Sequence, residues 1–185
     1  GHRASVNASH RTKFVALLLM AGSAGPMTPS TLADTFGTGG NTFTIDFVGI
    51  GNPGNPADTT GYGAVPYTYQ MGKYEVSREM ITKANSAGGL GIPLADMSPF
   101  GGNVETHPAT GVSWFQAATF VNWLNTSSGH AAAYNFDGGG NFKLWTASEA
   151  WTQGGENLYR NKEAHYFLPS ENEWYKAAYY NGTRY

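Results

Sequence analysis

From Thr42 to Val48 apolar and polar residues alternate, with Phe43, Ile45 and Phe47 on one side and Thr42, Thr44 and Asp46 on the other. This is the period-two signature of a half-buried strand. Gly49 to Gly63 is crowded with Gly, Asn, Pro and Asp, which predicts a surface loop. Tyr67-Thr68-Tyr69-Gln70-Met71 is strand-like again, with a bulge expected at Gly72. Ser77 then stands where its hydroxyl can accept from the free N–H groups of a helix over residues 78–86, which Gly88-Gly89 would end.

From Trp114 to Asn125 the period lengthens to that of a helix. Trp114, Ala117, Ala118, Phe120, Val121 and Leu124 fall in one arc that should enter the core, and Ser113 with Gln116 forms a capping box at its start. Phe115 and Trp123 lie on the polar side of this wheel. Large aromatics are rarely left bare, so the rest of the fold should cover them, and they are candidate binding residues where it does not.

Tyr134-Asn135-Phe136 and Phe142-Lys143-Leu144-Trp145 flank Asp137-Gly138-Gly139-Gly140-Asn141, which predicts a hairpin. An Asp and an Asn around three glycines invite a calcium reading, but their spacing misses the alternating-oxygen pattern of such loops, and a plain turn is favoured. A third helix should begin after Pro169, capped reciprocally by Ser170 and Glu173, with Trp174, Ala177 and Ala178 packing on one face. Glu171, in its first turn, is a candidate site residue. Paired carboxylates at a helix start are more often caps and dipole partners than acid and base, so Glu171 and Glu173 predict no catalytic pair.

Residues 1–33 form an export signal and leader in this reading. Arg3, Arg11 and Lys13 make a cationic front, Phe14 to Ala24 a short apolar stretch, and Thr31-Leu32-Ala33 a small-residue cleavage site before Asp34. The stretch falls short of the roughly 20 residues that span a bilayer. The pattern predicts an exported chain, periplasmic, cell-surface or secreted, without a membrane span.

Composition narrows the chemistry. Charged residues are 13% of the chain, and its 25 glycines are roughly double the usual share; both suit a loop-rich α+β fold rather than a helical bundle. A net charge of -2 without a basic run gives no footprint for nucleic acid. None of the 185 residues is cysteine, which excludes disulfides, thiolate metal sites and cysteine nucleophiles within them. The histidines at 2, 10, 107, 130 and 165 show no i, i+4 pairing with another His or a carboxylate. No nucleophile elbow or phosphate loop is present. Asn125-Thr126-Ser127 and Asn181-Gly182-Thr183 match glycosylation acceptors, a frequent chance pattern.

Three motifs in order carry a resemblance. Tyr74-Glu75-Val76-Ser77, His107-Pro108-Ala109-Thr110-Gly111-Val112-Ser113-Trp114 and Phe167-Leu168-Pro169-Ser170-Glu171-Asn172-Glu173-Trp174 resemble the helix-start motifs of the formylglycine-generating enzyme family, the sulfatase-modifying factor domains. Ala109, Phe167, Ser170 and Tyr175 depart from the family's Val, Arg, Thr and Glu. The resemblance spans about residues 67–180, within a domain portion of 34–185.

It implies a C-type-lectin-like fold and a copper-dependent oxidase that binds an extended sulfatase peptide and converts its Cys to formylglycine. Copper is held there by two thiolates, and structural calcium accompanies it. The family's calcium loops and cysteine pair have no counterpart in these residues, so the chain is expected to be the N-terminal portion of the domain, incomplete at its C-terminus, without catalytic or cofactor-binding residues and inactive as it stands. Two other classes remain open: a non-haem iron relative, which would need a histidine cluster on an added domain, and a non-catalytic module binding a peptide or glycan at the cell surface. Phe115, Trp123 and Glu171 are the candidate surface for such a ligand.

Overall fold

The computed structural model describes residues 19–21, as backbone, and residues 32–185. The remainder of the expected leader lies outside the described residues. In chain order the strands are β1 (Leu19–Ala21), β2 (Leu32–Phe36), β3 (Phe43–Ile50), β4 (Tyr69–Gly72), β5 (Asn135–Phe136), β6 (Phe142–Lys143), β7 (Ala150–Trp151), β8 (Asn157–Asn161) and β9 (Tyr166–Phe167). The helices are α1 (Arg78–Gly88), α2 (Trp114–Ser127) and α3 (Glu171–Tyr179).

One antiparallel sheet runs in the order β2-β3-β4-β1-β9, and two ribbons, β5-β6 and β7-β8, stand apart from it. This is the α+β class the sequence predicts. The alternation read at Thr42–Val48 is realised in β3, where Phe43, Ile45 and Phe47 are buried. The strand runs on to Ile50, two residues into the expected loop, because Gly49 and Ile50 pair with Gln70 and Tyr69. Gly72 pairs regularly with Phe47, so the bulge expected there does not form.

Each of these three α-helices is capped by a serine. The hydroxyls of Ser77, Ser113 and Ser170 accept from the N–H groups of Met80, Gln116 and Glu173, and the last two complete capping boxes. Gly89 ends α1 at φ 64°, a left-handed conformation that costs glycine little. The backbone carbonyl of His107 accepts from the N–H of Arg78 and so ties the α1 start to the 104–108 turn.

The core lies between the sheet and α2. Ala117, Ala118, Phe120, Val121 and Leu124 are buried as the wheel predicts, and full burial of Phe120 or Leu124 contributes about 1.5–3 kcal/mol each. Trp114 departs from the prediction: as the first residue of α2 it projects past the core and remains 38% exposed.

In α3 the expected inner face is also different. Ala178 is exposed, while Glu173 and Lys176 are each only 1% exposed. The Lys176 ammonium donates to the carbonyl of Asn52 at 2.8 Å and lies 5.9 Å from the ring centres of Tyr69 and Tyr180. Burial pushes this amine down to about 8. The folded chain therefore releases, above about pH 8, a proton that the unfolded chain keeps until about 10.4.

Stability should rise across that interval. It should turn down above about pH 10, where unfolded tyrosines ionise while burial holds Tyr67, Tyr69, Tyr134 and Tyr166 protonated. Thermal melts between pH 7 and 9.5 should show a Tm gain of a few degrees, on the order of 1 kcal/mol, that the Lys176→Met variant lacks. An equal gain in that variant would remove Lys176 as the cause.

Candidate functional site

The capping box at Ser113 fixes where α2 begins, and hence where its first two side chains go. The Ser113 N–H donates to Gln116 Oε1 at 2.8 Å, and the Gln116 N–H donates to Ser113 Oγ at 3.3 Å. Trp114 and Phe115 follow at once and meet edge to face, with ring centroids 5.4 Å apart.

The β5-β6 hairpin is pinned beside them by Asn122, whose side chain donates to the Tyr134 carbonyl and accepts from the Tyr134 N–H, both at 2.8 Å. Trp114 then packs edge-on against Tyr134 at 5.2 Å and Phe142 at 5.3 Å, Phe115 lies 6.2 Å from Phe136, and Phe142 stacks on Tyr159 at 5.8 Å. Helix start, hairpin and β8 thus assemble one aromatic platform. Its outer members are open: Phe115 is 55% exposed and Tyr159 58%, with Leu144 beside the hairpin also exposed.

The rings of the platform include no carboxylate, imidazole or amine. Such a surface can hold apolar or ring-bearing groups through area and edge-to-face contact; its polar groups are the Trp114 indole, the Tyr159 hydroxyl and the buried Tyr134 hydroxyl, which accepts from the Leu168 N–H at 2.8 Å.

The hairpin loop beside the platform is closed on itself. Asp137 Oδ1 accepts from the N–H groups of Gly139 and Asn141 at 2.9 Å each, and Oδ2 lies 3.5 Å from Lys143 Nζ. These backbone and side-chain bonds from Asn141 and Gly139 hold the carboxyl below its ordinary range. Among the described residues no group of three or more His, Cys, Asp or Glu gathers in a metal-ligand arrangement. Copper(I) calls for soft thiolates, and with no cysteine in the chain the residues present do not fit it.

The three candidate residues lie apart in role. Phe115 is in the platform. Trp123 is half-buried under Phe43 at 6.1 Å and Phe120 at 6.4 Å, and a Cβ on Gly88 would come within 2.5 Å of its ring, so α1 and β3 cover it. Glu171 stands exposed in the first turn of α3. Leu144 and Tyr159 stand on this surface beside Phe142 although no local pattern marks them for it, and Trp114, expected in the core, lies here too. The one broader signal is the cluster of aromatics at both ends of the predicted hairpin.

Glu173 is inaccessible, and its role is structural. Its carboxylate meets the Arg160 guanidinium in two parallel contacts of 2.8 Å. It also accepts from the Ser170 N–H at 2.6 Å and from the Tyr67 hydroxyl.

Fold and surface together define an α+β scaffold with three serine-capped helices and an uncharged aromatic face. The chain belongs to the sulfatase-modifying factor enzyme 1-like domain family, whose model matches residues 55–185. No curated protein and no solved structure matches it.

Proposed function

We propose that this chain is the scaffold of an exported, formylglycine-generating-enzyme-like domain of C-type-lectin-like fold, and that its role is to hold an extended peptide against the platform of Trp114, Phe115, Phe142 and Tyr159. The exposure of Phe115 and Tyr159 on a rigidly pinned surface carries the reading. Aromatic anchors of this kind dominate binding energy at protein surfaces. The leader pattern of residues 1–33 supports export. Among the described residues no helix is long and apolar enough to cross a membrane.

The family match supports a second reading, in which the parent protein oxidises a sulfatase cysteine to formylglycine. That chemistry needs thiolates which none of these residues supplies. A non-catalytic surface module taking a peptide or a glycan is the alternative on the same scaffold.

A fluorescently labelled, Cys-containing sulfatase peptide separates these readings. It should bind the 185-residue chain saturably, Phe115→Ala should weaken it by about tenfold, equivalent to about 1.4 kcal/mol, and no aldehyde should form with or without added copper. Unchanged affinity in both Phe115→Ala and Tyr159→Ala would sink the platform. Copper-dependent aldehyde formation by this chain would sink the scaffold assignment. Edman sequencing of the secreted product should begin at Asp34.

A further inference from the structure

Two imidazoles stack where α2, β9 and β2 meet. His130 follows the end of α2 and His165 immediately precedes β9, and their rings lie 4.8 Å apart between centroids and within 15° of parallel. One residue holds both. The His130 N–H donates to the Asn125 carbonyl at 2.9 Å, and the His165 N–H donates to Asn125 Oδ1 at 2.7 Å. Because Asn125 is fully buried, the backbones that carry the two rings part only by breaking hydrogen bonds to the core.

Tyr166 and Asp34 complete the cluster. The Tyr166 ring meets His165 edge-on at 5.0 Å and His130 at 6.3 Å, and packs edge-on against Phe36 of β2 at 5.2 Å. Its hydroxyl donates to Asp34 Oδ2 at 3.0 Å, and its backbone pairs with Met20 of β1. A single residue thus links the histidine stack to β2 and to the ladder at the edge of the sheet.

The two rings differ in what surrounds a charge. His130 is exposed, whereas His165 is half-buried. A proton on each would set like charges face to face. Burial and the charge of His130 hold His165 below its ordinary value, with the Asp34 carboxylate pulling the other way. These are the charged groups that bear on it, one from the end of α2 and one from β2; Tyr166, facing it from β9, is kept protonated by its burial and by Asp34.

As pH falls below about 6.5, the unfolded chain therefore takes up a proton before the folded His165 does. The stacked arrangement is fully favoured above that pH and loses its advantage as pH falls through the lower folded value. That interval lies above the range of about 3.9–4.3 in which ordinary carboxylates protonate, so the stack can open while the carboxylate network is still intact.

We propose that His130 and His165 form a proton-operated latch. With the stack uncharged it clamps the end of α2 to β9; with both rings charged it parts, releasing Tyr166 from Asp34 and loosening the β9 edge.

The test follows the ring Cε1–H signals of His130 and His165 by NMR in the 185-residue chain between pH 4.5 and 8, with the exposed His107 as internal reference, together with hydrogen exchange at the Tyr166 amide. His165 should titrate below the ordinary histidine value of about 6.5, and its midpoint should rise in His130→Gln, a substitution at an exposed position. Exchange at Tyr166 should speed up by about fivefold from pH 7 to pH 5 once the intrinsic rate is allowed for, and His165→Gln should abolish that gain. A His165 midpoint at or above 6.5, a midpoint that His130→Gln does not move, or equal protection of Tyr166 at the two pH values overturns the proposal. Acid acceleration that persists in His165→Gln overturns it as well, because another group would then be the trigger.

Discussion

Glu173→Ala should destabilise the fold by about 3–5 kcal/mol, the cost of leaving a buried partner charge uncompensated. Arg160 is 5% exposed, and its Nη2 also donates to the Leu168 carbonyl at 2.6 Å. With the carboxylate gone, no other counter-charge among the described residues pairs with Arg160, and the Ser170 N–H and Tyr67 hydroxyl lose their acceptor as well. The midpoint of urea unfolding measures the loss. The double variant Arg160→Met with Glu173→Leu should recover most of it, since well-packed apolar replacements of buried pairs are often neutral. A loss below about 1 kcal/mol in Glu173→Ala, the level of an exposed pair, would show that the network contributes little.

The same carboxylate sets an acid limit. Burial alone would push it up, but the hydrogen bonds and charge of Arg160, with Tyr67 and Ser170, hold it below its ordinary value. Its contribution is therefore complete above about pH 4.3 and fades as pH falls through the depressed value.

Asn125→Leu should cost a similar amount, about 3 kcal/mol or more. Asn125 is fully buried at the end of α2, and its amide spends all four of its hydrogen-bonding positions. Nδ2 donates to the carbonyls of Val121 at 3.0 Å and Tyr166 at 2.9 Å, and Oδ1 accepts from the N–H groups of His165 at 2.7 Å and Tyr166 at 3.0 Å. The side chain thus takes the place of a neighbouring strand beside β9. Leucine matches its size but strands the buried N–H and carbonyl of Tyr166 and the half-buried N–H of His165, each buried group costing about 1–3 kcal/mol. Hydrogen exchange at His165 and Tyr166 should accelerate in the variant. Protection equal to the parent's would refute this account. The burial also removes Asn125 as a glycan acceptor in the folded chain.

What could be read from the sequence was local. The serine caps at 77, 113 and 170 and the alternation of β3 depend on residues within a few positions of one another, and all appear in the fold. The platform was half legible: Phe115 stood out on its wheel, but its neighbours arrive from Tyr134–Phe142 and Tyr159 only once the hairpin docks. Lys176 was illegible, since a lysine beside two alanines reads as the outer face of a helix. Its partners, Asn52 and Tyr69, lie more than a hundred positions earlier. Arg160 gave no signal for the same reason: nothing in the local pattern around β8 marks it as the counter-charge of Glu173.

Leu19–Ala21 sits between β4 and β9, pairing Met20 with Gln70 on one side and Tyr166 on the other. The cleavage before Asp34 proposed above would remove this strand, so an uncleaved chain and such a product would not share one hydrogen-bond ladder. Trimming the leader would open a slot in the middle of the sheet. Maturation would then be a structural event as well as a change of address, since the newly bared edges of Tyr69–Gly72 and Tyr166–Phe167 would have to close on each other or recruit another strand.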